Sequence, residues 1–178
     1  MPKKPFPLSE VYRLLEPGPV VLITTHDGKR ADIMTQSWHT MMEFEPPLIG
    51  CVISDRNFSF KALMKTKECV INIPSDKIAK EMVGCGNTSG RNTDKFRKFH
   101  LTPVASSQVG APLIDECFAC IECRVADTKM VDKYGFFVLE AVRAWVDPAQ
   151  KNAKTLHHMG MGKFMVAGKT IRLRSKAK

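Results

Sequence analysis

Tryptophan and tyrosine are scarce in this sequence, with two of each. They are not interleaved with basic residues in the way that stacks nucleic-acid bases, so a nucleic-acid-binding barrel is a minor reading. No apolar run approaches the ~20 residues needed to cross a bilayer. The segment from Met1 to Pro7 has basic residues but no apolar core, so it is expected to be neither a secretory signal nor a membrane anchor. These absences lead to the expectation of a cytoplasmic protein with no membrane partner. Two nucleotide fingerprints are missing as well: no GxGxxG follows the first strand, and no GxxxxGK[ST] occurs anywhere. A nucleotide site must therefore be built another way. Acidic residues are absent from Lys151 to Lys178, where eight basic ones occur (Lys151, Lys154, Lys163, Lys169, Arg172, Arg174, Lys176, Lys178). Such an end can meet nucleic acid, an acidic protein or nucleotide phosphates, or simply be solvated.

The 178 residues suit one domain spanning 1–178, and 44% hydrophobic with 25% charged residues is an ordinary globular composition. The formal net charge is +9. Six cysteines are present, and in a reducing compartment they read as small buried hydrophobes. Cys117-x-x-Cys120-x-x-Cys123 has the look of a cluster motif, but it lies in an apolar, strand-like run. Alternation there would send Cys120 to the face opposite Cys117 and Cys123, so no metal site is expected.

The stretch from Pro19 to Thr66 carries the strongest signals. An apolar, β-branched run from Pro19 to Thr25 turns at Asp27-Gly28 and returns through Ala31 to Trp38, the pattern of a hairpin. After Glu45-Pro46-Pro47, a third run from Leu48 to Ile53 reads as a buried strand. It ends in Ser54-Asp55-Arg56-Asn57-Phe58-Ser59 and passes into a short helix over Phe60–Lys65 with Asn57 as N-cap. The first-turn amides of a helix lack internal partners and sit at the positive end of its dipole. Together with Arg56 and the Ser59 hydroxyl they make a candidate phosphate cradle without a glycine-rich loop, although an ordinary capped helix has the same spacing.

Elsewhere the pattern predicts a short amphipathic helix from Ser9 to Leu15, stopped by Pro17-Gly18. Strands are expected at Cys69–Ile73, Leu101–Ala105, Ala119–Met130, Phe136–Val146 and Phe164–Ala167, and a helix at Lys77–Val83. Asp132 to Gly135 reads as a hairpin connection. Gly84 to His100 is turn-rich and basic; it can wrap an anion or be a surface loop before a short helix. Hairpin-joined strands with only short helices argue for an antiparallel barrel rather than a parallel sheet.

The strings Gly18 to Thr25, Asp27-Gly28, Ala31 to Trp38 and Glu45 to Leu48 resemble the flavin reductase-like, FMN-binding split-barrel family, in particular its flavoredoxin branch. Asn72-Ile73-Pro74, Ser89-Gly90-Arg91, Asp94-Lys95-Phe96, Gly110 to Leu113, Glu122-Cys123 and Leu156 to Gly160 extend the likeness over nearly the whole chain. The resemblance implies a mainly β fold, a six-stranded antiparallel Greek-key split barrel with short flanking helices, assembled as a homodimer. FMN would be the cofactor and NADH or NADPH the electron donor, with a redox protein as an alternative partner. By the same likeness the flavin ring would lie along Met34, Thr35, Gln36, Ser37 and Trp38, whose donors would settle charge on the ring. The phosphate would lie near Ser54, Arg56, Phe58, Ser59, Ser89, Gly90 and Lys95. Replacing Ser59 or Lys95 by alanine is then expected to weaken FMN retention far more than it lowers the melting temperature of the apo form. His157 and His158 are candidates for a proton donor or a nicotinamide contact, and Trp38 for a flavin shield or a core aromatic. Asp55 and Asp94 are expected to orient Arg56 and Lys95. Where relatives often have Gly-Glu-Val, this chain has Leu139-Glu140-Ala141, and no site is carried over there.

Overall fold

The structure, a computed structural model, describes residues 3–11 and 19–174. In chain order the elements are β1 (Lys4–Phe6), a 3-10 turn (Leu8–Glu10), β2 (Val21–His26), β3 (Ala31–Gln36), β4 (His39–Glu43), β5 (Leu48–Val52), α1 (Phe58–Thr66) and β6 (Glu68–Ile73). A second 3-10 turn (Asp76–Ile78) leads into α2 (Ala79–Gly86), followed by α3 (Lys95–Lys98), β7 (Pro103–Val104), β8 (Leu113–Ile114) and β9 (Ala119–Met130). The last elements are α4 (Val131–Tyr134), β10 (Phe136–Val146), β11 (Leu156–His158) and β12 (Phe164–Val166). The expected helix over Ser9–Leu15 and its Pro17-Gly18 stop fall mainly on residues outside those described.

The main sheet has eight strands in the order β3-β2-β6-β9-β10-β5-β4, with β1 added along β10. Every pairing in it is antiparallel. Six of the eight strands were read from the sequence; β1 and β4 were not. Both lie at edges and are mostly exposed, so they lack the strong one-face apolar pattern that identifies a strand. Pro5 is tolerated in β1 because only one side of that strand is paired.

The ends of the sheet, β3 and β4, adjoin in the chain and are not laddered to one another. This is the split in the barrel. It is bridged by Val52 N–H donating to the Trp38 carbonyl at 3.0 Å and by the Gln36 side chain. The Gln36 amide nitrogen donates to Trp38 O at 2.7 Å, Val52 O at 3.0 Å and Cys51 Sγ at 3.0 Å.

Alternation along each strand feeds two cores. Val21, Ile23, Cys51, Ile71, Ile121, Cys123, Phe137 and Leu139 fill the barrel. Leu22, Ile33, Val70, Cys117 and Cys120 face the other way and pack under α2 and α3 with Met82, Cys85 and Phe96. Each fully buried side chain of this size contributes roughly 1.5–3 kcal/mol. The expected cysteine geometry needs one correction. Cys117 shares a core with Cys120, because it precedes β9 and strand alternation does not govern it.

Helix α2 runs to Gly86 instead of stopping at Val83. A Cβ at Gly84 would sit 2.4 Å from the Phe99 ring and one at Gly86 3.2 Å from Thr35 Cβ. These glycines permit close packing and do not break the helix. Between β9 and β10 the expected tight turn is a single helical turn, α4, closed by Gly135 at φ 63°. At Gly28 the φ of 98° is what the β2–β3 turn requires.

Candidate functional site

The split edge of the barrel, the N-terminus of α1 and the C-terminal half of α2 enclose two connected compartments. The larger, about 430 Å³, is lined by Val20, Met34, Val52, Val83 and Phe164, with Thr35, Gln36, Ser37, Trp38 and His158. The smaller, about 210 Å³ and mainly polar, is lined by Arg56, Phe58, Ser59, Ser89, Gly90 and Lys95, and also by Asp32 and Cys85. Met34, Thr35, Asn57, Gly86 and Asn87 line both.

The hairpin positions its residues through alternation. Met34 and Gln36 are buried while Thr35 and Ser37 are half-buried. Thr35 Oγ1 donates to the Met82 carbonyl at 2.6 Å, which ties β3 to α2. With the Gln36 amide nitrogen spent on the barrel seam, the donors left for a ligand along this edge are chiefly backbone groups. Trp38 is 71% exposed, so it is a rim residue and not the core aromatic that was one expectation. Ser54 is exposed at the mouth and donates to Asp55 at 3.4 Å. The two histidines separate. His158 lines the larger compartment and stands 5.1 Å from the Phe164 ring. His157 turns to Thr155 Oγ1 at 3.1 Å and does not line it.

The polar compartment differs from expectation in its wiring. Lys95 pairs with Asp32 at 3.6 Å, not with Asp94, and also donates to the Ile33 carbonyl. Asp94 instead caps α3, accepting from Arg97 N at 3.1 Å. Ser59 Oγ donates to the other Asp32 oxygen at 3.0 Å. Asp32, Ser59 and Lys95 are all buried. Removing Lys95 would therefore leave a buried carboxylate unpaired and disturb the fold as well as any ligand, unlike the expected selective loss of FMN. A Cβ at Gly90 would fall 2.2 Å from an Asp32 oxygen, so the turn at Gly90 closes directly over the acid.

At the mouth of this compartment Arg56 is exposed. Helix α1 starts there with no side-chain cap from Asn57, which leaves its first-turn amides to other partners. Burial pushes the Cys85 thiol up to about 12 although Lys95 opposes it, so Cys85 is not a nucleophile at neutral pH. Among the described residues no three His, Cys, Asp or Glu side chains gather to hold a metal.

An apolar slot joined to a narrow polar pocket suits a planar ring linked by a short polar chain to a phosphate. Gly86 and Gly90, where a Cβ would fill space needed by packing, keep the polar pocket narrow. Sequence reasoning missed Val20, Val52, Val83 and Phe164 because aliphatic and aromatic side chains in regular elements carry no ligand signal. It missed Asp32 as well. The available signal was an acid one residue past the start of an apolar strand that would have to be buried with it.

The model of the flavin reductase like domain matches residues 13–164. The uncharacterized protein YddH of Escherichia coli (strain K12) is 32% identical over 181 residues, covering 94% of this chain and 96% of that one. An FMN-binding domain of a flavin reductases-like enzyme from Shewanella baltica OS155 superposes with a TM-score of 0.89 at 21% identity, covering 97% and 98% of the two chains. Flavoredoxin of Desulfovibrio vulgaris (Miyazaki F) does so with a TM-score of 0.81 at 22% identity, covering 90% and 92%.

Proposed function

Because the chain belongs to the flavin reductase-like domain family, we propose that it is an FMN-binding oxidoreductase that takes electrons from NADH or NADPH and passes them to an acceptor. The observation that carries this reading is the pairing of a 430 Å³ slot along β3 with a 210 Å³ polar pocket at the start of α1. The ring would pack against Met34, Val52, Val83 and Phe164, with Trp38 at the rim. The phosphate would meet Arg56, the amides of Phe58 and Ser59, and the turn at Ser89-Gly90. When bound, the flavin supplies the hydride-accepting chemistry.

The chain's own contribution is positional and electrostatic. Backbone donors from Thr35 to Ser37 would hold the ring edge, where fixed dipoles would favour negative charge developing on a ligand. Thr35 and Gln36 are held by Met82 and by the barrel seam, so these donors do not reorganise when charge appears. His158, which lines the compartment, would contact the second substrate. No general acid or base is required for hydride transfer.

The protein is proposed to act as a cytoplasmic homodimer of single-domain chains. No helix among the described residues is long and apolar enough to cross a membrane. A second reading is an electron carrier of the flavoredoxin type without its own nicotinamide reaction. It is favoured by the exposed Trp38 at the edge of the cleft, an apolar side chain of the kind that suits docking of a redox protein. The visible spectrum of the purified protein, reconstituted with FMN and then given NADH or NADPH, separates these readings. Bleaching of the flavin band by nicotinamide alone is expected; a band that stays until a reduced protein is added supports the carrier. A preparation that takes up no FMN defeats both.

A further inference from the structure

The polar compartment contains an anion of its own. Asp32 lines it with a side chain only 7% exposed, and both oxygens are engaged. One faces Lys95 at 3.6 Å and the other accepts from Ser59 at 3.0 Å. The turn at Gly90 closes over it, with no room there for a Cβ. The cations are correspondingly occupied. Lys95 is spent on Asp32 and the Ile33 carbonyl. Arg30 donates to the Gly90 and Arg91 carbonyls and lies 4.8 Å from the Phe58 ring centroid. A phosphate entering here meets Arg56 and the start of α1 on one side and a fixed carboxylate on the other.

Building on the flavin reading above, we infer that Asp32 holds the phosphate grip of this site low, so that FMN is a dissociable ligand scarcely preferred over riboflavin. Two or three charge-assisted hydrogen bonds in an uncompensated cradle would favour the phosphorylated flavin by about a thousandfold or more. A like charge built into the pocket cancels much of that preference. Neutralising Asp32 frees the charge of Lys95 while an amide oxygen can still accept from Ser59, so the gain falls on the phosphate and not on the ring.

The test is fluorescence titration of the flavin-free full chain with FMN and, separately, with riboflavin, for the natural protein and Asp32→Asn. In the natural protein FMN is expected to bind less than roughly a hundredfold more tightly than riboflavin. In Asp32→Asn the FMN affinity should rise about tenfold or more while that of riboflavin stays within about twofold. A preference for FMN above roughly a hundredfold in the natural protein overturns the inference, and so does an equal gain for both flavins or no gain for either. The comparison in the natural protein decides the matter if Asp32→Asn does not fold. Binding of neither flavin to the natural protein would remove the flavin reading itself, and this inference with it.

Discussion

His157 and His158 are neighbours in sequence, yet only one of them reaches the cleft. His158 is exposed and lines it beside Phe164, while His157 is bound to Thr155. His158→Ala should therefore lower turnover with a nicotinamide donor by a few-fold, on the order of one lost contact of about 1 kcal/mol, with FMN affinity little changed. His157→Ala should leave turnover unaltered and lower the melting temperature slightly. Steady-state NADH oxidation and thermal unfolding of the two variants give the comparison, and equal turnover losses in both would refute the assignment. At this scale the sequence was legible where a residue type announces chemistry. Arg56 and Ser59 were picked out for their donors, Ser89 and Lys95 through the family likeness, and the structure gathers all four around one pocket. It was silent on wiring, because nothing in the spacing of Lys95 and Asp94 shows that the lysine turns inward to Asp32.

Among the elements, β4 is one of the two strands of the main sheet that the sequence hid, and its first residue carries a pH dependence. His39 donates through Nε2 to the Pro19 carbonyl at 2.7 Å, and its other ring nitrogen is buried without a partner. Burial holds its pKa below the usual 6.5, outweighing the Pro19 bond that raises it. The unfolded chain takes up a proton near pH 6.5, whereas the folded chain does so only at lower pH. The stability associated with neutral His39 is thus fully present above about pH 6.5 and is lost as pH falls from there through the folded-state value. Between about pH 7.5 and 5.5 the melting temperature of the natural protein should drop more than that of His39→Gln, which cannot be protonated. Parallel declines would show that His39 does not titrate in this way. Strands β2, β3, β5, β6, β9 and β10 were readable because each has a buried face. In β4 and β1 the backbone pairing of an edge does the work that side chains do elsewhere, and such pairing leaves little trace in composition.

For the molecule as a whole, the six thiols test the packing of both cores at once. All six are buried and free. Burial pushes Cys120 up to about 12 and raises Cys51 and Cys117; for Cys69 the hydrogen bond with Cys123 is the leading cause and burial adds to it. A neutral thiol shielded from solvent reacts slowly. The native protein at neutral pH should consume little aromatic disulfide reagent over minutes, and six equivalents per chain after denaturation. A thiol titrating at once in the native state would place an opening in one of the two cores. The expected antiparallel barrel came from strands joined by hairpins with only short helices between them, and the expected homodimer from the order of many weak motifs along the chain. The barrel is the architecture observed, because pairing order follows from which strands can bury a face together.

The seam described at Gln36 has a mechanical corollary. A single amide both staples the open edge of the barrel and forms part of the floor on which a ligand would rest. The hairpin of β4 and β5 cannot peel away from β3 without tearing up that floor, so an occupied cleft acts as a latch on the least securely fastened side of the barrel.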